Sequence, residues 1–244
     1  MRCVGTVSRG IRLPVITKGE DIVKIISDSV LEAAKSERDA FTIRDRDIVG
    51  VTESLVARSQ GNYVTLDDIS EDIRNRVPEG DAALIFPIMS RNRFHQLLRG
   101  IVNGVRGRLH VILSYPSDEV GNKVIDPYNY YLKSSELSGE CFGEEEFYSV
   151  FGEYRHPFTG IDYVQLYKNI DPDKVVIHFA NNPLAALKFA KTVIVASIHT
   201  RSLHREILEK AGAYVVSMDE ICSSPVRPGA GFNEKYGLLG SNYT

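Results

Sequence analysis

The chain is poor in cysteine, with Cys3, Cys141 and Cys222 far apart in 244 residues. An odd number at such separations builds no disulfide framework, and without a CxxC pair or a Cys/His cluster there is no structural zinc site to expect. Long hydrophobic runs are missing too. The opening MRCVGTVSRGIRLPVITKGED holds no apolar stretch of secretory-signal length, and no run approaches the roughly 20 residues of a membrane span. The expected location is therefore the reducing cytoplasm, with no membrane partner. Nor is there an excess of one charge: the net is −3 and the pI about 6.1. Such a chain has no general basic field for nucleic acid, although a local basic pocket for a phosphorylated small molecule remains open. Neither glycine fingerprint of nucleotide binding is present. GxxxxGK[ST] does not occur, no GxGxxG follows a strand, and RPGAGFNEKYGLLG follows no strand-to-helix transition. That Gly-rich tail reads as a weak phosphate loop or as a flap over a site. There is no internal repeat and no low-complexity tract.

What is present is ordinary globular material, 43% hydrophobic and 25% charged, enough for a sizeable core. Two parts are expected, 1–80 and 81–244, with a single continuous domain as the alternative. In the first, GEDIVKIISDSVLEAAKSE carries one apolar helical face behind acidic residues. RDIVGVTESLVARSQGNYVTL is rich in β-branched residues, so two extended runs about a QGNY turn are predicted, and LDDISEDIRNRV predicts a short helix. In the second part DAALIFPIM and RLHVILSYP predict buried strands, and KVVIHF, NPLAALKFAK, TVIVASI, SLHREILEKAG and AYVVSM predict strand, helix, strand, helix, strand. The fold class is α/β: a mixed, β-containing N-terminal part followed by a βαβαβ, mostly parallel sheet.

Ligands of a parallel sheet bind beyond the carboxyl ends of its strands, so the residues that follow each strand are the candidates. These are Ser90, Arg91, Asn92 and Arg93; Ser117, Asp118 and Glu119, with Asn122; Asn181 and Asn182; and His199, Thr200 and Arg201. Arg91 and Arg93 precede a helical pattern that begins with Phe94, where the helix dipole disfavours cations. A phosphate held by the helix start would neutralise both arginines, and His199 with Arg201 repeats the arrangement. The plain alternative is that the arginines pair with Asp118 or Glu119. Those adjacent carboxylates offer oxygen ligands for magnesium or manganese beside substrate phosphates, or they are solvated turn residues. HPFTGID sets His156, Thr159 and Asp162 close together, for substrate binding or acid–base work or simply as an Asx-type turn. The turn is the better reading.

GIRLPVITKGEDI, DIVGVTESLVARSQGNYV, PIMSRNRFHQLLRGI, LSYPSDEVGN, HPFTGIDY, SIHTR and GFNEKYGLLGSN together resemble the coenzyme F-420-0:L-glutamate ligases (CofE-like, gamma-glutamyl ligase), in a bacterial branch. The resemblance implies an amide ligase that adds L-glutamate to a cofactor-like or other acidic acceptor through a γ-glutamyl linkage by way of an acyl phosphate. It implies GTP or ATP with magnesium or manganese, and potassium, and a homodimer. It also places SYPSDEVGN where the ligases carry a metal-binding aspartate, so that Asp118 takes that role, and it implies a further C-terminal domain after GLLGSN. The alternative expectation is a non-catalytic module that binds a nucleotide or phosphorylated ligand.

Overall fold

The computed structural model describes residues 5–243, so Cys3 lies outside the described residues. The chain divides into two compact units on either side of the Tyr63–Val64 bond.

In the N-terminal unit, α1 (Ile22–Ala34) begins where the Asp21 carboxylate accepts the Lys24 amide at 3.0 Å. The stretch expected to be two extended runs instead forms α2 (Glu53–Gln60). Thr52 precedes it in extended backbone, Glu53 lies in its positive first turn, and Gly61 closes it with φ 71°. Helix-end chemistry outweighs the β-branched composition here, because a C-terminal glycine in the left-handed region satisfies the last carbonyls. The next strand, β1 (Tyr63–Val64), is two residues long and spans the boundary.

The second unit opens with α3 (Leu66–Arg76). The Thr65 hydroxyl accepts the Asp68 amide and the Asp68 carboxylate accepts the Thr65 amide, a complete capping box. The sheet that follows comprises β2 (Ala82–Ile85), β3 (Leu109–Leu113), β4 (Cys141–Gly143), β5 (Val175–Ala180), β6 (Thr192–Val195) and β7 (Tyr214–Ser217), in the order β4-β5-β3-β2-β6-β7. All neighbours are parallel except the β4–β5 edge. Strands β2, β3 and β6 are buried at every position, the continuous apolar reading of a sheet covered on both sides. One face packs α4 (Phe94–Gly104), α6 (Glu144–Phe151) and α7 (Tyr163–Lys168), and the other packs α8 (Arg201–Lys210). A short helix, α5 (Pro127–Lys133), starts on the Asp126 carboxylate, and β8 (Asn242–Tyr243) ends the described chain. Among the described residues no helix is long and apolar enough to cross a membrane.

The predicted helix between β5 and β6 is a 3₁₀ segment, Pro183–Lys188. From β5 the chain must pass β3 and β2 to reach β6, three strand spacings or about 14 Å. A 3₁₀ turn rises about 2.0 Å per residue against 1.5 Å for an α-helix, so it covers that span with fewer residues.

Helix α3 lies before residue 81 yet packs on α4 in the second unit. The contact needs two glycines one turn apart: a Cβ at Gly100 would sit 2.8 Å from Ile69, and one at Gly104 only 2.6 Å from Ile73 and 2.7 Å from the Ser70 carbonyl oxygen. The Ser70 hydroxyl crosses to the Gly100 carbonyl at 3.0 Å. Gly104→Ala is expected to destabilise the chain by about 1–3 kcal/mol through overpacking, read as a lower midpoint in urea. An unchanged midpoint would mean the two helices separate at no cost.

Candidate functional site

The strand order reverses about β2. The chain runs outward from β2 to β3 to β5, then returns to the other side of β2 for β6 and β7. The carboxyl ends of β2 and β6 thus flank the topological switch point, the crevice where open parallel sheets bind ligands. The loops after β2, β3, β5, β6 and β7 all emerge at this rim, as the parallel pairing requires.

The loop after β2 is held at nearly every residue. Phe86 is buried in left-handed backbone, φ 51°, a conformation that a bulky residue takes only when its surroundings force it. Its amide bonds the Ile112 carbonyl at 2.9 Å. The Met89 amide donates to the Asp118 carboxylate at 2.7 Å. The Ser90 amide donates to the Tyr167 hydroxyl at 3.0 Å, and that hydroxyl donates to the Ile88 carbonyl at 2.6 Å. Burial raises the Tyr167 pKa, while the Ser90 amide opposes the shift, so the phenol stays protonated and can donate.

Arg91, Asn92 and Arg93 are exposed beyond this pinned segment. The helix begins at Phe94, so Arg93 is the cap residue and Arg91 lies in the preceding turn, both outside the first helical turn. The Ser90 hydroxyl takes the Arg93 amide at 3.2 Å. Among the described residues neither arginine forms an ion pair, and the Arg93 guanidinium reaches only the Leu239 carbonyl, at 3.4 Å. The pairing with Asp118 or Glu119 that would have explained them plainly is absent among the described residues.

Both carboxylates are engaged elsewhere. Asp118, 6% exposed, accepts the Met89 amide, the Val120 amide at 3.1 Å, and the amide and side chain of Asn122 at 2.8 Å each. Glu119 reaches across to the loop after β6. There it accepts the amides of Ile198 at 2.6 Å, His199 at 3.2 Å and Thr200 at 3.2 Å, and the Thr200 hydroxyl. Burial alone would raise the Glu119 pKa, but the Thr200, Ile198 and His199 donors together outweigh it and hold the carboxyl below its usual range. A divalent cation seeks carboxylate oxygens free of N–H donors. Asp118 and Glu119 do not offer such oxygens, and among the described residues no three His, Cys, Asp or Glu side chains come together to hold a metal ion. As arranged, these two residues tie loops together and do not fit as ligands of a lodged metal.

Arg201 turns away from the crevice: its Nε lies 3.3 Å from Asp219 after β7, and its Nη1 is buried without a partner among the described residues. It lines a cavity of about 220 Å³ with Arg205, Glu206 and Asp219. Asn181 bonds both the amide and the carbonyl of Tyr115, at 3.0 and 2.7 Å, tying the loops after β5 and β3. Asn182 caps the 3₁₀ segment. HPFTGID forms a turn. His156 Nδ1 faces the Phe158 and Thr159 amides at 3.4 Å, the Gly160 amide bonds the His156 carbonyl, and Asp162 caps α7 through Val164 and Gln165. Asp162 also accepts the Tyr148 hydroxyl at 3.0 Å. The turn starts the helix whose Tyr167 pins the loop after β2, so it supports the rim from behind. The Thr159 hydroxyl is buried without a partner among the described residues.

A further pair meets at the crevice. Ser197, fully buried after β6, lies 2.9 Å from His204 Nδ1, which also faces the Thr200 hydroxyl at 3.3 Å. The edge of the Phe86 ring packs on His204 with centroids 5.1 Å apart. Burial lowers the His204 pKa although Glu119 opposes the shift, favouring the neutral ring. The i, i+4 spacing of Thr200 and His204 was the one available cue.

No curated protein and no solved structure matches the chain. A family model described as F420-0:Gamma-glutamyl ligase matches residues 10–244, through both units.

Proposed function

Because this chain belongs to the F420-0:gamma-glutamyl ligase family, we propose that it is a nucleotide-dependent amide ligase that adds L-glutamate to a small acidic acceptor. The observation that carries the proposal is the family match over residues 10–244. The rim geometry supports it with exposed Arg91 and Arg93, free of ion pairs among the described residues, beside the switch-point crevice. In this reading a carboxylate oxygen attacks the terminal phosphate of GTP or ATP, releasing the nucleoside diphosphate. The glutamate amine then attacks the acyl carbon, forming the amide, losing a proton and releasing inorganic phosphate. In the same reading Ser90, Arg91, Asn92 and Arg93, with His199 and Thr200, surround the phosphates. The two arginines supply charge-assisted hydrogen bonds, stronger than neutral ones. Magnesium or manganese accompanies the nucleotide as its counter-ion, and potassium and a cytoplasmic location belong to the same proposal. So does a homodimer: α1 buries none of its residues, and Val23, Ile26, Val30 and Leu31 line an apolar groove of about 490 Å³ with Val49 and Val51. Light scattering on the purified chain at two concentrations tests that part, and a monomer at both removes it.

The first experiment is a calorimetric titration with GTP and with ATP, each with and without manganese, on the wild type and on Arg91→Ala/Arg93→Ala. The double variant is expected to bind the preferred nucleotide at least about tenfold more weakly, the loss of about 1.4 kcal/mol of charge-assisted bonding. Glutamate-dependent release of phosphate in the presence of candidate acids then measures turnover. Binding without turnover for any acid would favour a nucleotide-binding module, and no binding of either nucleotide would remove the ligase reading.

A further inference from the structure

The loop after β3 does more than turn. Ser117 and Lys123 bridge antiparallel, the Asp118 amide bonds the Asn122 carbonyl at 2.9 Å, and Gly121 takes φ 86° to close the bend. This small, internally bonded loop leaves from β3, roots on the β2 loop through Asp118, and reaches the β6 loop through Glu119. Since β2 lies between β3 and β6, the loop crosses the carboxyl end of β2 and the switch-point crevice. Its two carboxylates are unequal. Asp118 is nearly buried and bonds its own loop as well as Met89, whereas Glu119 is only partly buried and all its partners lie on the far side.

We propose that Ser117–Lys123 is a strap, rooted by Asp118 and latched by Glu119, that closes the crevice in the ligand-free chain and releases when the anionic phosphates of a nucleotide arrive. The inference rests on the nucleotide reading above and concerns the regulation of that site. A carboxylate and a phosphate oxygen accept the same N–H donors, so an incoming phosphate can take over the Ile198, His199 and Thr200 amides while Glu119 returns to water. Closure lowers apparent affinity, because the open form is only part of the population.

The test pairs hydrogen exchange with nucleotide binding in the wild type, Glu119→Ala and Glu119→Asp. The aspartate keeps the charge but falls one methylene short, which separates latching from charge repulsion and gives a second variant should the alanine fail to fold. In the nucleotide-free chain, both variants are expected to speed exchange at the 198–200 amides at least tenfold and to leave the Asn122 amide unchanged. Both are expected to bind Mg-nucleotide several-fold more tightly and to associate faster than the wild type. Unchanged exchange in both variants would overturn the latch. Faster exchange with wild-type affinity and association rate would overturn the gating while leaving the nucleotide reading intact. Absence of nucleotide binding in all three proteins would overturn that reading, and the gating with it.

Discussion

Asp118→Ala is expected to lower stability by about 3 kcal/mol, because the substitution strands the buried Met89 amide and three partly buried donors at once. The Met89 and Asn122 amides point at this carboxylate at 2.7 and 2.8 Å, and Met89 itself is 2% exposed. A missing acceptor there is not replaced by water without opening the loop after β2. Since β2 is the central strand at the switch point, the loss propagates to the rim, and nucleotide binding falls with stability. Asp118→Asn retains one carbonyl acceptor and so should cost about half as much, roughly 1–2 kcal/mol. Urea denaturation gives the stability difference. Metal titration of the wild type tells a loop-tying carboxylate from a ligand. A folded Asp118→Ala chain of wild-type stability that had lost only metal binding would reverse the assignment made from the hydrogen bonds.

Much of the sheet could be read from the sequence because it is written locally. ALIFPIM and HVILSYP are short apolar runs bounded by polar turns, and their strands are buried at every position. The rim followed from them, since parallel strands deliver their exits to one side. Elements whose form depends on span or on end chemistry were misread. Glu53–Gln60 is a helix because of Thr52 and Gly61, and Pro183–Lys188 is 3₁₀ because of the distance it bridges. Within the site, Asp118 and Glu119 were picked out as a pair, but their roles depend on amides 29 and about 80 positions away. No local pattern encodes such a partner. Ser197 and His204 stayed hidden for the same reason: their meeting depends on where β6 ends and how α8 turns.

Stability should also fall as the pH drops from about 6.5 toward 4, through a histidine pair far from the rim. His110 Nδ1 and His178 Nε2 lie 3.0 Å apart on adjacent strands, within reach for one neutral ring to donate its N–H to the other. Phe189 stacks on His178 with centroids 3.8 Å apart, and Asp81 stands 3.7 Å from His110 Nε2. Burial, reinforced by His110, pushes the His178 pKa down to about 4. Burial also lowers that of His110, although Asp81 opposes it. Between these values the unfolded chain binds a proton that the folded chain refuses, so stability is full above the ordinary histidine range and declines with acid until the folded ring titrates. A shift of that size corresponds to about 3.4 kcal/mol at most, and the ring is partly solvated, so about 2 kcal/mol is expected. His178→Gln removes this ring's titration and should make the stability profile shallower over that interval, even if it lowers stability at neutral pH. The measurement is a urea midpoint series from pH 7 to 4 on both proteins, with the His178 ring proton followed by NMR. A wild-type profile as flat as the variant's would mean that the folded pair takes up its proton as readily as free histidine, and that the 3.0 Å contact opens at little cost.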